Sequence, residues 1–193
     1  MSRRPAWSGR SLEGEMLYAR ISSERIGVLI GSEGTTKERL QKATGTRISV
    51  DSTTGEVTID EADASDPVMA LKARDIIQAM ARGFSEDRAF RLLDEDAYFE
   101  VLDIKDFAHS KNRVAQIRAR LIGTRGKTRR LIEELAGVEV SVWGHTVALI
   151  GGTFEMAIAR EAVLMLLRGS EHKTVYRFLE RKRADIKAYQ MGF

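Results

Sequence analysis

The sequence contains no cysteine among its 193 residues, which excludes disulfide bonds and metal sites built from thiolates. It contains no apolar run of the roughly 18–20 residues that a membrane-spanning helix needs. The three histidines, His109, His145 and His172, are too scattered for the spacing of metal ligands, so we expect no metal or other cofactor. The first residues lack the apolar core of a secretory signal. We therefore expect a flexible basic tail over residues 1–12 and a cytoplasmic location.

An excess of charge of one sign is also missing. The 31 Lys and Arg residues nearly balance the 28 Asp and Glu residues, which leaves a formal net charge of +3. This small net charge permits an anionic partner without requiring one. The distribution of the charges along the chain is more informative. Apolar residues make up 43 % of the chain and charged residues 31 %, with a mean hydropathy of −0.26. This composition is typical of a soluble protein with a modest core in each of two small domains.

A six-residue pattern occurs twice in the chain, 92 residues apart. It is a hydrophobic pair followed by two glycines that enclose two variable residues. The first copy consists of Leu29, Ile30, Gly31, Ser32, Glu33 and Gly34, and the second of Leu121, Ile122, Gly123, Thr124, Arg125 and Gly126. The match continues downstream through Gly45 and Gly137 into Ile/Val-Ser-Val strands. A repeat with fixed internal spacing indicates a duplicated structural unit, so we predict two domains of one fold.

Hydrophobic periodicity and capping residues predict the same element order in both units: strand, helix, GxxG turn, helix, strand, strand, helix. The first unit has these elements at 15–21, 24–30 (capped by Ser23), 35–44, 46–51, 56–60 and 65–82. The second has them at 98–104, 112–122, 127–136, 138–143, 145–150 and 154–168. A short spacer helix is expected at 85–94 and a charged helix at 174–189. We assign the first domain to 13–83, the spacer to 84–97, the second domain to 98–169 and the C-terminal region to 170–193.

This order resembles two tandem KH domains of type I, each with an α+β fold in which helices cover one face of a three-stranded sheet. The C-terminal half further resembles the archaeal KH ribosome-biogenesis factor related to the partner of Nob. Residues 120–129, 132–134, 146–151 and 175–183 carry this resemblance, together with 72–76 and 82–85. It implies binding to single-stranded small-subunit ribosomal RNA near its 3′ end. It also implies two protein partners, a Nob-type endonuclease and the alpha subunit of initiation factor two.

A GxxG turn can bind a nucleic-acid backbone for physical reasons that do not depend on the resemblance. Two residues without Cβ let a nucleic-acid backbone approach the main chain closely, and the next helix presents free N–H groups to phosphate. Bases then lie in an apolar groove, here formed by Leu121, Ile122, Ile132, Val140 and Val142 with Ser141 near its rim; for Ile132 and Val140 a place in the core fits equally well. The candidate RNA-binding residues are Arg118, Arg120, Leu121, Ile122, Gly123, Thr124, Arg125, Gly126, Lys127, Thr128, Arg129, Arg130, Val140, Ser141 and Val142 in the second unit, and Ile30, Gly31, Ser32, Glu33, Gly34 and Lys37 in the first.

Charge separates the two copies. The stretch 111–130 holds eight basic residues and no acidic one, centred on the second turn. The matching stretch 24–42 holds four basic residues against three acidic ones, and Glu33 stands in the turn where the second copy has Arg125. A carboxylate there repels phosphate, so we expect the second domain to dominate RNA binding.

Other chemistry has little support. Gly126, Lys127 and Thr128 match the end of a P-loop, but Leu121 stands where that motif requires its first glycine. The acidic residues 94–96 fit a helix end better than a catalytic pair, and Trp143 fits strand packing better than base stacking. We therefore predict an RNA-binding adaptor that is not an enzyme and has no small-molecule substrate. The alternative is a protein-interaction scaffold whose first KH domain binds a translation or processing factor.

Overall fold

The computed structural model describes residues 16–61 and 66–191. The predicted basic tail, 1–12, lies outside these ranges. The first domain contains six elements in the predicted order, with one 3-10 turn (Ser32–Gly34) between its first two helices. They are β1 (Met16–Arg20), α1 (Ser23–Ile30), α2 (Thr35–Thr44), β2 (Arg47–Val50), β3 (Glu56–Asp60) and α3 (Pro67–Ala81).

Local sequence explains where these helices begin and end. Asp66 caps α3 by accepting a hydrogen bond from the Val68 N–H, and Pro67 occupies its first turn. Gly45 ends α2 in the left-handed conformation, as predicted. The predicted cap of α1 was wrong by one residue, because Ser22 holds the N-cap position and Ser23 already belongs to the helix.

The spacer and the second domain follow. The spacer is a single turn, α4 (Glu86–Ala89), which continues into a 3-10 segment, Phe90–Leu93, instead of the one helix expected. The second domain and the C-terminal region contain β4 (Tyr98–Asp103), α5 (Lys111–Ile122), α6 (Lys127–Ala136), β5 (Glu139–Trp143), β6 (Thr146–Gly151), α7 (Thr153–Leu167) and α8 (His172–Gln190), with 3-10 turns at Ile104–Asp106 and Thr124–Gly126.

Each domain has a three-stranded antiparallel sheet with its last strand in the middle, in the orders β1-β3-β2 and β4-β6-β5. In the first sheet Leu17 and Ile48 both pair with Ile59, which aligns apolar residues across one face. The core of the second domain is formed by Val147 and Leu149 of β6 together with the helices. Helix α8 contributes the buried residues Val175, Leu179 and Ile186 to this core. The predicted apolar face of α8 therefore packs on the second domain.

Strand β6 joins the two domains. All six of its residues are buried, whereas an antiparallel strand commonly leaves one face in water. Val147 and Leu149 belong to the core of the second domain, while Ala148 and Ile150 belong to the cluster that contains the core of the first. The back of the second sheet is thus covered by the first domain and the spacer.

Candidate nucleic-acid interface

The second GxxG turn has a backbone that requires both of its glycines. Gly123 and Gly126 have φ angles of 73° and 76°, in the left-handed region that favours glycine. A Cβ on Gly123 would also lie 2.2 Å from the Thr128 Oγ1, which excludes any side chain there. A Cβ on Gly126 would meet open space, so the main chain at this glycine faces outward. The turn delivers the chain into α6, whose first N–H groups have no helical partner.

The first turn repeats this geometry closely. Gly31 and Gly34 have φ angles of 74° and 87°, and a Cβ on Gly31 would lie 2.2 Å from the Thr36 Oγ1. Glu33 and Arg125 are the two described non-glycine residues with positive φ, both at 52°. The duplication seen in the sequence therefore extends to backbone angles.

Four cations of the predicted basic stretch lie exposed near the second turn. They are Arg118, Arg125, Lys127 and Arg130. The Arg130 guanidinium donates to the Arg125 carbonyl oxygen at 3.1 Å, which folds it back onto the turn. Arg129 is half-buried and lies 3.6 Å from the Glu133 carboxylate, so its charge is partly compensated. The surface around Arg125 is therefore cationic.

Arg120 and Thr128 have structural surroundings that the sequence did not predict. Arg120 donates to the Ser170 carbonyl oxygen, and its own carbonyl oxygen lies 2.9 Å from the His172 Nε2. Thr128 is buried, and its hydroxyl lies 2.7 Å from that of Tyr176. Both residues join α8 to the turn region. Their expected contact with RNA stays a prediction.

The predicted groove is only partly open. Leu121, Ile132 and Val140 are each 1 % exposed and belong to the core, which is the alternative that the sequence left open for Ile132 and Val140. Ser141, expected near the rim of the groove, is buried, and its hydroxyl donates to the Arg82 carbonyl oxygen of the first domain at 2.8 Å. What remains accessible is a cavity of about 470 Å³ (here the second-domain groove), lined by Glu24, Arg118, Ile122, Val142, Trp143 and Gly144.

Carboxylates of α4 stand beside the first turn. The Thr36 hydroxyl donates to the Glu86 Oε2 at 2.7 Å, and the Arg39 guanidinium lies 2.8 Å from the Glu86 Oε1 and 3.7 Å from the Asp87 carboxylate. Sequence reasoning missed Glu86, which is 50 residues from Thr36. Ser32 and Gly34 belong to this turn, and Ile30 precedes it. Their expected contact with RNA, and that of Lys37, stays a prediction. The surroundings of the first turn are thus more acidic than the sequence around the turn indicated.

The described residues contain neither a metal-binding cluster nor a membrane-spanning helix. Over 16–61 and 66–191, no group of three or more His, Cys, Asp or Glu side chains is arranged to hold a metal ion. None of the helices described has both the length and the apolar character that crossing a membrane requires.

The comparisons with known proteins agree with this architecture. Residues 98–184 match the family of the second KH domain of PNO1, a eukaryotic-type KH domain (KH-domain type I), and residues 18–79 match the KH domain family. A KH domain-containing protein of Methanocaldococcus jannaschii is 45 % identical over 169 residues, which cover 87 % of this chain and 74 % of the relative. The crystal structure of Dim2p from Pyrococcus horikoshii is 46 % identical, with a TM-score of 0.81 over 86 % of this chain and 99 % of that one.

The chain belongs to the archaeal Dim2p family of KH-domain proteins. A second solved structure of this Dim2p family is the complex of a/eIF2alpha, aDim2p and rRNA from Pyrococcus horikoshii, whose matched chain is 46 % identical with a TM-score of 0.83 over 89 % of this chain and 95 % of that one. A protein of unknown function from Aeropyrum pernix is 37 % identical, with a TM-score of 0.86 over 92 % of this chain and 95 % of that one. Two tandem KH domains followed by a C-terminal helix, as the sequence predicted, are therefore confirmed.

Proposed function

We propose that this protein is an RNA-binding adaptor that holds single-stranded small-subunit rRNA near its 3′ end during ribosome biogenesis. Membership of the Dim2p family supports the biological setting, and the complex of a relative with rRNA supports the ligand. The protein contributes binding and positioning, while a separate nuclease would carry out any cleavage.

One observation supports the proposal that the second domain provides the main RNA-binding site. Its turn combines an outward-facing Gly126 with exposed Arg125 and Lys127. Within the part of the chain that the structure describes, the hydrogen bond recorded to this turn comes from the Arg130 guanidinium and not from a carboxyl group. A phosphate at the start of α6 would receive main-chain N–H groups, the positive end of the helix dipole and these side-chain cations. A KH module holds about four nucleotides in this way.

The second-domain groove suits unpaired bases. Ile122 and Val142 give it an apolar floor, and Arg118 gives it a cation at one side. A base in a duplex has its faces and its pairing edge occupied, so only an unstacked base can enter such a groove. The ligand we propose is therefore a single strand.

Two protein partners follow from the same assignment. We propose the alpha subunit of initiation factor two, because a relative forms a complex with a/eIF2alpha and rRNA. A Nob-type endonuclease is the second proposed partner, and its support is the resemblance of the C-terminal half to the partner of Nob.

A second candidate role concerns the first domain, which we propose as a protein-binding surface. Its turn keeps the KH backbone but carries Glu33, and the neighbouring Arg39 is already paired with Glu86. These carboxylates lower the affinity for phosphate and leave a surface suited to a basic protein segment.

The experiment compares matched aspartate substitutions in the two turns, with a single-stranded RNA from the 3′ end of small-subunit rRNA as ligand. Thr124→Asp and Ser32→Asp add the same charge at equivalent positions. We expect Thr124→Asp combined with Arg125→Asp to weaken binding on the order of 100-fold or more, because hydrogen bonds of charged groups contribute about 1.5–3 kcal/mol each. Thr124→Asp alone should lose more than Ser32→Asp. Equal losses from the two single substitutions would contradict the assignment.

A further inference from the structure

The two domains enclose a cleft next to the second-domain groove, and we propose that this cleft binds further nucleotides of the same RNA strand. Trp143 would stack on a base, and Arg20 and Arg82 would contact the phosphates on either side. This inference rests on the proposed function, because the strand must first occupy the second-domain groove. It extends the RNA site from one KH module to a surface formed by both domains.

The interdomain cleft has a volume of about 600 Å³ and is lined from both domains. Its first-domain wall includes Arg20, Ser22, Thr53 and Arg82, and its second-domain wall includes Trp143 and His145. No acidic side chain is among the described residues that line it. Both arginine side chains are exposed to solvent. A cleft with exposed cations, polar hydroxyls and an aromatic ring has the composition of a binding site for single-stranded nucleic acid.

Trp143 is held in place before any ligand arrives. It ends β5 and is 39 % exposed, although tryptophan usually buries most of its surface. The Arg25 guanidinium lies 5.3 Å from its ring centroid, and Arg25 in turn donates to the carbonyl oxygens of Met80 and Phe84. The ring therefore needs little ordering on binding, which lowers the entropic cost of stacking a base on its exposed surface.

The groove and the cleft are continuous. Trp143 and Gly144 line both cavities, so a strand that leaves Ile122 and Val142 passes directly over the indole ring. The Arg118 guanidinium, which lies 3.4 Å from the Gly144 carbonyl oxygen, stands at this junction. A strand longer than the four nucleotides of one KH module would thus find cations and a stacking surface along its path.

One carboxylate opposes this path. Glu24 lines the second-domain groove on the side of the first domain, where it would lie near the phosphates that approach the cleft. Its removal should strengthen the binding of strands that reach the cleft. Glu24→Gln is therefore expected to raise the affinity for a long strand by a few fold and to raise that for a tetranucleotide less, because the tetranucleotide does not extend toward the cleft.

The test uses the full chain with Trp7→Phe, which leaves Trp143 as the one tryptophan in the sequence. The probes are an rRNA-derived single strand of twelve nucleotides and its truncations from each end down to four. We expect the long strand to quench Trp143 fluorescence more strongly than the tetranucleotide does, because only the long strand continues from the groove into the cleft. In the protein that keeps Trp7, Trp143→Leu should weaken the binding of the long strand on the order of tenfold, since base stacking on an aromatic ring contributes about 1–3 kcal/mol. Trp143→Phe should restore most of this loss.

Charge variants provide the second measurement. Arg20→Gln and Arg82→Gln should each weaken the binding of the long strand several-fold. Arg160→Gln is the control and should leave this binding unchanged, because Arg160 lies on α7 and pairs with Glu100 of β4. If Trp143 serves only packing, Trp143→Leu will change the affinities for both probes equally or change neither, and RNA will leave the fluorescence of Trp143 constant. These results would overturn the inference. Wild-type binding with these negative results rejects the cleft but keeps the proposed function. Absence of any RNA binding rejects both.

Discussion

Glu33 and Arg125 occupy the same backbone position in the two GxxG turns, each with a φ angle of 52°. Positive φ is uncommon for residues other than glycine, so its recurrence at this position marks a fold-imposed conformation. The turns therefore differ in charge while sharing their conformation. Because the backbone is equivalent, side-chain exchange at these two positions isolates the electrostatic contribution to phosphate binding.

Glu33→Lys should strengthen RNA binding, because it replaces a carboxylate in the first turn with a cation. We expect a gain of a few fold at low salt and a change in unfolding free energy of no more than about 0.5 kcal/mol, since exposed substitutions rarely do more. Titration with a single-stranded rRNA oligonucleotide measures the gain. Glu161→Lys, at an exposed position on α7, controls for the change in net charge. Unchanged or weaker binding by Glu33→Lys would show that Glu33 is not what limits the first domain.

Single-stranded RNA should bind far better than a blunt duplex of equal length, because the groove admits only unstacked bases. Affinity should also fall with salt. Four phosphate contacts, from Arg118, Arg125, Lys127 and Arg130, would give log K against log salt a slope of about −3, at roughly −0.7 per contact. Arg125→Gln should make this slope shallower by about 0.7. Equal affinity for duplex and single strand would exclude the groove as the binding site.

The hydroxyl pair of Thr128 and Tyr176 should stabilise the contact between α8 and the second turn. Tyr176→Phe is expected to lower the free energy of unfolding by about 1 kcal/mol, because it leaves the buried Thr128 hydroxyl without its partner. Chemical denaturation measures this loss. In a double-mutant cycle, Tyr176→Phe should lower the free energy of unfolding much less when Thr128→Val is already present. Additive losses would mean that the two hydroxyls do not interact energetically.

Arg88 should make the contact between the spacer and the second domain sensitive to acid. It pairs with Glu133 and Glu139, and Arg91 lies 2.6 Å from Glu139. Burial by itself raises the pKa of Glu139, but hydrogen bonds from Arg91 and Arg88 outweigh burial and hold that pKa below its usual range. A carboxyl with a lowered pKa contributes stability that is complete above its unfolded-state pKa, about 4.3, and is lost as pH falls through its folded-state value.

Arg88→Gln should therefore lower the free energy of unfolding on the order of 1–3 kcal/mol at neutral pH, because Glu133 and Glu139 each lose one cationic partner and keep only Arg129 and Arg91. It should also reduce the loss of stability between about pH 4.3 and more acidic values. Arg74→Gln, whose partner Asp75 is its neighbour on α3, is the matched control. Identical acid dependence of Arg88→Gln and the wild type would contradict a role for this ion pair.

The sequence by itself determined the repeated element order. Glycines at 45 and 137 mark helix ends, hydrophobic periodicity marks helices and strands, and these signals act over a few residues. For this reason α6 was predicted with its observed bounds and most other elements to within a few residues. The asymmetry of charge between the turns was equally readable, because the residues concerned are near neighbours in the chain.

Only the tertiary structure decided which of those residues face solvent. Arg120 and Ser141 carry polar groups typical of an RNA surface, yet each donates a hydrogen bond to a carbonyl oxygen more than 40 residues away. Glu86 reaches Thr36 across 50 residues, and Trp143 meets Arg25 from the other domain. Such contacts depend on how helices and sheets pack, since long side chains reach partners that sequence spacing does not reveal. Packing thus separated the open part of the groove from the core and created the cleft between the domains.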